Sequence, residues 1–205
     1  MRYGGDYDAI IIGGGPAGAT VARHISLAGF RVAILERDNR VGTPVQCSGL
    51  VTERTLTTAR LGTSIAYNTL TGARIHAPSG SAYEIGGNRV HAYVLDRSHF
   101  DVQVMEQATD VGVDLHTATR AVGIEHTADG VRITAEHNGR DLVYTARLVV
   151  GADGPRSLVA NFLDLPAPIE VLRARGADVR LPHCDAVDQV QIFVGERYAP
   201  GFFAW

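Results

Sequence analysis

Cysteine is scarce in this chain, which has only Cys47 and Cys184 among 205 residues. Two thiols so far apart in sequence do not make the disulfide framework that holds small secreted domains together. The eight histidines form no H-x-x-x-H pair, and there is no C-x-x-C pair, so the sequence predicts no metal site. The scarcity of cysteine favours a reduced, cytoplasmic setting.

Blocks of like charge and long apolar runs are missing too. Lys and Arg form no long block and the net charge is −3, so we expect no nucleic-acid partner. The apolar runs are too short to cross a bilayer, and no signal-peptide region precedes the first apolar strand at Tyr7. A hydrophobic content of 45% still allows a sizeable core, and it is compatible with peripheral contact at a membrane surface.

The first 36 residues have the pattern of a β-α-β unit. Residues 7–12 (YDAIII) are apolar without alternation, as in a strand that is buried on both faces. A helical pattern follows and ends at Gly29, a natural C-cap. Residues 31–36 (RVAILE) then form a second buried strand. The sequence therefore predicts two parallel strands joined by a helix.

A glycine motif, GGGPAG at residues 13–18, joins the first strand to the helix. Gly13 permits the tight turn, Gly15 lets the backbone approach a pyrophosphate, and Gly18 allows close packing of helix and strand. Pro16 fits the first helical turn, where its missing N–H costs little. Glu36 ends the second strand, where its carboxylate can bind a ribose. This pattern predicts dinucleotide binding and leaves FAD and NAD both open.

The rest of the chain predicts an α/β fold in two parts. Residues 1–64 and 96–165 are expected to form a Rossmann-like domain with a parallel sheet. Residues 65–95 and 166–205 contain short strands outside the β-α-β pattern, and we expect them to form part of an antiparallel substrate-binding sheet.

Several further elements are predicted from the pattern. Strands are expected at residues 113–124, 131–137 and 141–146, with hairpin turns between them, and a separate buried strand at 146–151. Residues 169–181 have a strand-like pattern as well. A short helix is expected at residues 155–162, opened by proline.

A second glycine motif, GADGPRS at residues 151–157, follows an apolar strand. Together with GGGPAG, Glu36 and the LDRSHFD stretch that contains Arg97, it resembles the FAD-dependent group that includes aromatic hydroxylases and geranylgeranyl reductases. The resemblance implies FAD as the cofactor, with Asp153, Gly154 and Arg97 near it. An ordinary Asp-Gly turn and a surface cation near the start of a helix are the alternative interpretations.

Two further stretches resemble the geranylgeranyl reductase family. PVQCSGLV at residues 44–51 resembles its P-x-x-C-x-G loop, which implies that Cys47 lies beside the flavin and is a candidate catalytic residue. YAPGFFAW at residues 198–205 resembles the start of its aromatic signature, which implies substrate contacts for Phe203 and Trp205. A small buried thiol and a plain sheet core are the alternatives. The resemblance covers the front part of a family member, without its later Gly-Asp motif.

The resemblance also implies a function. It predicts reduction of C=C bonds in an isoprenoid or prenyl-lipid substrate, with electrons from an external donor. An FAD-dependent aromatic monooxygenase and a non-catalytic FAD-binding fragment are the alternatives. The implied cofactor contacts are Gly13, Gly15, Pro16, Ala17, Gly18, Glu36, Arg37, Cys47, Ser48, Gly49, Arg97, Ala121, Asp153 and Gly154.

Overall fold

The computed structural model describes residues 2–45, 47–180 and 186–205, so Cys184 lies outside the described residues. The chain divides into two compact units, Met1–Val45 with Ser98–Ala167 and Gln46–Arg97 with Pro168–Trp205. Residues 46–64, which the sequence pattern assigns to the Rossmann-like part, belong to the second unit.

Short strands and helices alternate along the described residues. None of the helices there is long and apolar enough to cross a membrane. In chain order the elements are β1 (Arg2–Ile12), α1 (Pro16–Leu27), β2 (Val32–Leu35), β3 (Leu50–Val51), α2 (Glu53–Thr58), a 3₁₀ turn (Thr63–Ile65), β4 (Ala66–Leu70), β5 (Gly72–His76), β6 (Ala82–Gly86), β7 (Ala92–Leu95), α3 (Arg97–Thr109), β8 (Asp114–His116), β9 (Thr119–Thr127), β10 (Gly130–His137), β11 (Arg140–Gly151), α4 (Leu158–Phe162), β12 (Gln189–Val194) and β13 (Phe203–Ala204).

A six-stranded sheet in the order β8-β2-β1-β11-β10-β9 forms the first unit. Its first four strands run parallel, and Ile10 of β1 lies opposite Ala33 of β2 and Val149 of β11. β10 pairs antiparallel with β11 and β9. All four residues of β2 are buried, which explains why its sequence does not alternate. The predicted Rossmann-like parallel sheet is confirmed.

The core of the first unit lies against this sheet. α1 packs on β1 and β2 with Ala19 and Ala22 fully buried, and these small side chains allow a close approach. A second group of buried residues joins β1, β2, β10 and β11, and it includes Leu35, Ile133 and Tyr144. The strand ends that carry the glycine motifs are therefore set in rigid, well-packed elements.

The second unit contains two sheets. β3, β7 and β4 form a three-stranded antiparallel sheet, and the other sheet has the order β13-β12-β5-β6. In the four-stranded sheet β12 runs parallel to β5, while the remaining pairs are antiparallel. This sheet joins strands from both predicted excursions, 65–95 and 166–205. The predicted fold class is confirmed, with two sheets and one parallel pair as the differences from the expected single antiparallel sheet.

Two strand boundaries differ from the sequence-based prediction. β11 is one continuous strand, because its pairing with β1 continues to Gly151 after its pairing with β10 ends at Ala146. Conversely, residues 113–124 are two strands, β8 and β9, separated by Thr117 and Ala118. Ala118 has a φ of 50°, which turns the chain from the parallel part of the sheet into the hairpin.

The strand predicted at residues 169–181 is wrong for its described part. Residues 169–180 are exposed and contain no strand. Their alternation of Arg with apolar residues permits a strand, but a strand is stable only where a neighbouring edge supplies hydrogen bonds. The pattern by itself does not reveal whether such an edge exists.

Candidate functional site

The glycine motif after β1 is shaped by contacts between backbones. Gly13 has a φ of 106°, and a Cβ there would overlap the carbonyl oxygen of Ala152. A Cβ on Gly18 would overlap the carbonyl oxygen of Gly13. The N–H of Gly13 donates to the carbonyl of Leu35 at 2.9 Å. Larger residues at Gly13 or Gly18 would therefore push apart the elements that meet at this turn.

Gly15 leaves open space at the start of α1. It is the N-cap residue, and a Cβ there would have no protein atom within 4 Å. Pro16 and Ala17 follow in the first turn, which carries no acidic side chain. The N–H groups of this turn and the positive end of the helix dipole therefore suit an anion such as a pyrophosphate. The residues present fit a dinucleotide cofactor.

Glu36 follows β2 and links the strand end to the glycine loop. Its carboxylate accepts hydrogen bonds from the N–H of Gly14 at 2.6 Å and from the N–H of Asp38 at 2.8 Å. Each carboxylate oxygen has a second lone pair for a further donor. The side chain is thus held beside the glycine loop, where it can still accept hydrogen bonds from ribose hydroxyls.

Arg37 and Ala121 are the other predicted contacts in this part of the first unit. Nε of Arg37 is 3.9 Å from Oδ2 of Asp38, and its side chain is mostly exposed. Ala121 lies on β9 opposite Ala135, next to an irregularity in the β9–β10 pairing, and it packs against the buried cluster. The N–H of Thr119, the first residue of β9, donates to the carbonyl of Glu36, so the start of β9 lies beside the end of β2.

The Asp-Gly motif meets the first glycine motif. The N–H of Ala152 donates to the carbonyl of Ile12 at 2.8 Å. Asp153 uses Oδ2 to accept from the N–H of Leu158 at 2.6 Å and, more weakly, from that of Val159 at 3.3 Å. Gly154 has a φ of 76°, and a Cβ there would have no atom within 4 Å apart from its neighbours in the chain. Asp153 therefore fixes the start of α4, a structural role that the sequence did not reveal.

The cysteine loop belongs to the second unit and is anchored to β7. Cys47 is a free thiol, and both it and Ser48 are exposed. Gly49 has a φ of 78°, and a Cβ there would overlap the carbonyl oxygen of Leu95. The carbonyl of Gly49 accepts from the N–H of Leu95 at 2.9 Å. Gly49 thus allows the close approach that fixes the position of this loop on β7.

The remaining predicted site residues, Arg97, Phe203 and Trp205, lie outside the glycine motifs in the sequence. Arg97 is the first residue of α3. Phe203 and Trp205 have ring centroids 5.6 Å apart and form an aromatic group with Phe202. Phe203 is 38% exposed and Trp205 is 51% exposed.

A polar cluster on the first-unit sheet was not found by the sequence analysis. Oη of Tyr7 is 3.1 Å from Nε2 of His116, and the His116 ring packs edge-on against Tyr144. Burial, with the charge of Asp114, raises the pKa of Tyr7 to about 12. Burial lowers the pKa of His116, and the nearby His137 adds to this, while Asp114 opposes it. Tyr7 and His116 are 109 positions apart, so only the fold brings them together.

Curated relatives match most of the chain. Digeranylgeranylglycerophospholipid reductase of Methanosarcina acetivorans is 31% identical over 97% of this chain and 51% of its own length. The enzyme of that name from Methanocaldococcus jannaschii is 24% identical over 97% of this chain and 52% of its own length. The chain spans about half the length of the curated relatives it matches.

Solved structures and a protein family model match the chain as well. A geranylgeranyl bacteriochlorophyll reductase-like protein of Thermoplasma acidophilum matches 95% of this chain and 52% of its own, with a TM-score of 0.75 and 25% identity. Anhydrotetracycline hydroxylase of Streptomyces rimosus matches 82% of this chain and 36% of its own, with a TM-score of 0.66; at 24% identity it supports the fold alone. The profile of the FAD binding domain matches residues 6–194. The chain therefore belongs to the FAD binding domain family, and FAD is the cofactor that its glycine motifs fit.

Proposed function

We propose that this protein is an FAD-dependent oxidoreductase that reduces C=C bonds in geranylgeranyl or related isoprenoid chains. The observation that carries the proposal is the extent of the similarity to proteins named digeranylgeranylglycerophospholipid reductase. That similarity spans 97% of the chain and so includes residues of both compact units.

The first unit supplies the main FAD contacts in this proposal. The N–H groups at Gly15 and in the first turn of α1 bind the pyrophosphate. The carboxylate of Glu36 accepts hydrogen bonds from the adenosine ribose, beside its present bonds to Gly14 and Asp38. The open backbone at Gly154 approaches the cofactor directly, and Asp153 orders the turn that presents it.

Residues from other parts of the chain contact FAD as well in this proposal. Arg37 and Ala121 flank the adenosine. Arg97 and the loop containing Cys47, Ser48 and Gly49 contact the flavin. The exposed thiol of Cys47 supports this assignment, because a cysteine buried in apolar surroundings would be available only for packing.

One face of the four-stranded sheet carries apolar residues, and this favours a hydrocarbon substrate. The register puts Ile192 opposite Ile75 and Ile75 opposite Tyr83, while Val194 lies opposite Phe203. Because side chains alternate along strands, these apolar residues share one face. Tyr83 is 63% exposed, so apolar surface is available there. A flexible isoprenoid chain gains binding energy by covering such a surface.

The chemistry requires a hydride and a proton on adjacent carbons. FAD, when bound and reduced by an external electron donor, would supply the hydride to one carbon of the C=C bond, and a proton would be added to the other. An isolated C=C bond is a poor electrophile, so the protein must orient it and exclude water. We place the protein in the cytoplasm, with peripheral membrane contact for access to a prenyl lipid.

Anaerobic turnover tests the proposal. The FAD-loaded protein, reduced with dithionite, is incubated with digeranylgeranylglycerophospholipid in detergent micelles, and the lipid is analysed by mass spectrometry. We expect a product that gains the mass of H₂ for each double bond reduced. An unchanged lipid would contradict the proposal. Uptake of an oxygen atom by an aromatic compound under air, without alkene loss, would favour the monooxygenase.

A pair of cysteine variants gives the matched control. Cys47→Ser should lower the rate of alkene reduction by about tenfold or more while FAD stays bound, because a group against the reacting centre must be correctly placed. Cys184→Ser changes the chain's other thiol and should leave the rate unchanged. Equal rates of alkene reduction for both variants would contradict the proposed role of Cys47.

A further inference from the structure

Thr119 is an unusual member of the first-unit core. Its side chain carries a hydroxyl, yet only 1% of the surface of this residue is exposed. It begins β9, directly after Thr117 and Ala118, where the chain leaves β8. A buried hydroxyl is tolerated only where hydrogen bonds satisfy it, so its partners indicate what it stabilises.

Both hydrogen-bonding functions of the Thr119 hydroxyl are used. Oγ1 donates to the carbonyl oxygen of Thr117 at 2.9 Å, and it lies 3.1 Å from Nδ1 of His137. Since its one proton goes to Thr117, Oγ1 must accept from His137, which places a proton on Nδ1. Nε2 of His137 is then free to accept from Nδ2 of Asn138 at 3.0 Å. The network therefore fixes the His137 ring with its Nδ1 proton directed at Thr119.

The segment that this hydroxyl holds is bonded to Glu36 on both sides. The N–H of Thr119 donates to the carbonyl of Glu36 at 2.8 Å, and the N–H of Glu36 donates to the carbonyl of His116 at 2.8 Å. The N–H of Ala118 donates to the carbonyl of Asp38 at 3.0 Å. Asp38 in turn donates to the Glu36 carboxylate. The main chain and the side chain of Glu36 are thus tied to residues 116–119.

We propose that Thr119 is a positioning residue for the ribose end of the FAD site. Its hydroxyl keeps Ala118 in its left-handed conformation and so holds the segment that anchors Glu36 and Asp38. The inference rests on the ribose contact proposed for Glu36. Loss of the hydroxyl would leave the Thr117 carbonyl and the His137 ring without a buried partner, and the segment would relax. The Glu36 carboxylate would then lose its fixed orientation.

Isosteric variants test this role through FAD affinity. Flavin-free protein is titrated with FAD, and binding is followed by quenching of flavin fluorescence. Thr119→Val should weaken FAD binding by about tenfold, whereas Thr119→Ser, which keeps the hydroxyl, should stay within about twofold of the unaltered protein. The visible spectrum of bound flavin should be the same in all three. Thr134→Val makes the same change at a half-buried position on β10 and should have no effect on affinity.

A double-mutant cycle separates positioning from general stability. If Thr119 acts through Glu36, Thr119→Val should cost less than about twofold in FAD affinity when Glu36→Gln is already present. If the tenfold loss persists in that background, or if Thr119→Val binds FAD normally, the inference is overturned. Should Thr119→Val fail to fold, His137→Leu removes the hydroxyl's other partner and enters the same cycle.

The cycle also distinguishes failure of this inference from failure of the ribose contact proposed for Glu36. Unchanged FAD affinity in Glu36→Gln alone would overturn the ribose role of Glu36, and the inference with it. Additive losses would overturn only the role of Thr119. The alkene-reduction assay is independent of both outcomes.

Discussion

At the scale of single residues, three of the four glycines in the GGGPAG motif are placed for three different reasons. Gly13 has a left-handed backbone and touches Ala152, while Gly18 lets the carbonyl of Gly13 come close. Gly15 has neither constraint, since its φ is −70° and the space beside it is open. Of these three, Gly15 is the glycine whose small size the fold does not require, and the proposed pyrophosphate contact gives a reason for it.

Replacement of Gly15 by valine should separate binding from folding. The side chain would fill the space at the start of α1, and FAD binding should weaken by about 100-fold, or about 3 kcal/mol. The free energy of unfolding of the flavin-free protein should change by no more than about 1 kcal/mol, because the cost is limited to the N-cap preference. FAD titration and urea unfolding measure the two quantities.

Gly18→Ala is the matched control for that variant. Its added Cβ overlaps the carbonyl of Gly13, so it should lower the free energy of unfolding by about 2–3 kcal/mol even without FAD. If Gly15→Val lowers the free energy of unfolding as much as Gly18→Ala does, the space beside Gly15 is not open and the prediction is wrong.

At the scale of elements, the short helix α4 shows how the GADGPRS motif serves the fold. Its five residues are held by two side chains that cap the N–H groups of its first turn. Asp153 accepts from Leu158 and Val159, and Ser157 accepts from Ala160 at 2.9 Å. A helix this short is not stable by itself, so these caps decide whether the turn after β11 is ordered.

Two cap variants should distinguish the roles of Asp153. Asp153→Ala removes bonds to a charged acceptor and should cost about 1.5–3 kcal/mol of unfolding free energy, while Ser157→Ala should cost about 1 kcal/mol. Only Asp153→Ala should also weaken FAD binding by more than its effect on stability explains. If Ser157→Ala weakens FAD binding equally, Asp153 acts through α4 alone. Urea unfolding and FAD titration of both variants give the comparison.

At the scale of the whole molecule, the Tyr7–His116 pair ties stability to pH. The pair joins β1 to the edge strand β8, and the Tyr144 ring of β11 covers the imidazole. Burial lowers the pKa of His116 below its ordinary value of 6.5, so folding disfavours protonation of the ring. The unfolded chain binds the proton at a higher pH than the folded chain does.

The free energy of unfolding should therefore fall on the acid side. The contribution of His116 is fully present above pH 6.5 and is lost progressively as the pH falls from there towards the lowered pKa. Urea unfolding at a series of pH values measures this loss. The comparison is with His116→Asn, whose stability should depend less steeply on pH below 6.5. Parallel pH profiles for the two proteins would contradict the prediction.

Local sequence patterns predicted the parts of the fold that depend on local chemistry. Buried parallel strands read as unbroken apolar runs, and the GGGPAG motif marks a strand-to-helix turn wherever it occurs. Strand pairing is different, because it depends on a partner that is distant in sequence. For this reason the length of β11 and the absence of a strand in the described residues 169–180 were not predictable.

By itself the sequence determined the Rossmann-like fold, because that fold depends on short motifs with local geometry. It indicated FAD through the resemblance of its two glycine motifs to those of a known group of flavoproteins. Only the tertiary structure decided how the candidate site is held. Thr119 is an ordinary threonine in the sequence, and its contacts with Glu36 and His137 exist because β9 begins beside the end of β2 and pairs with β10. Contacts between residues so far apart in the chain are set by packing and strand register, which a local pattern does not contain.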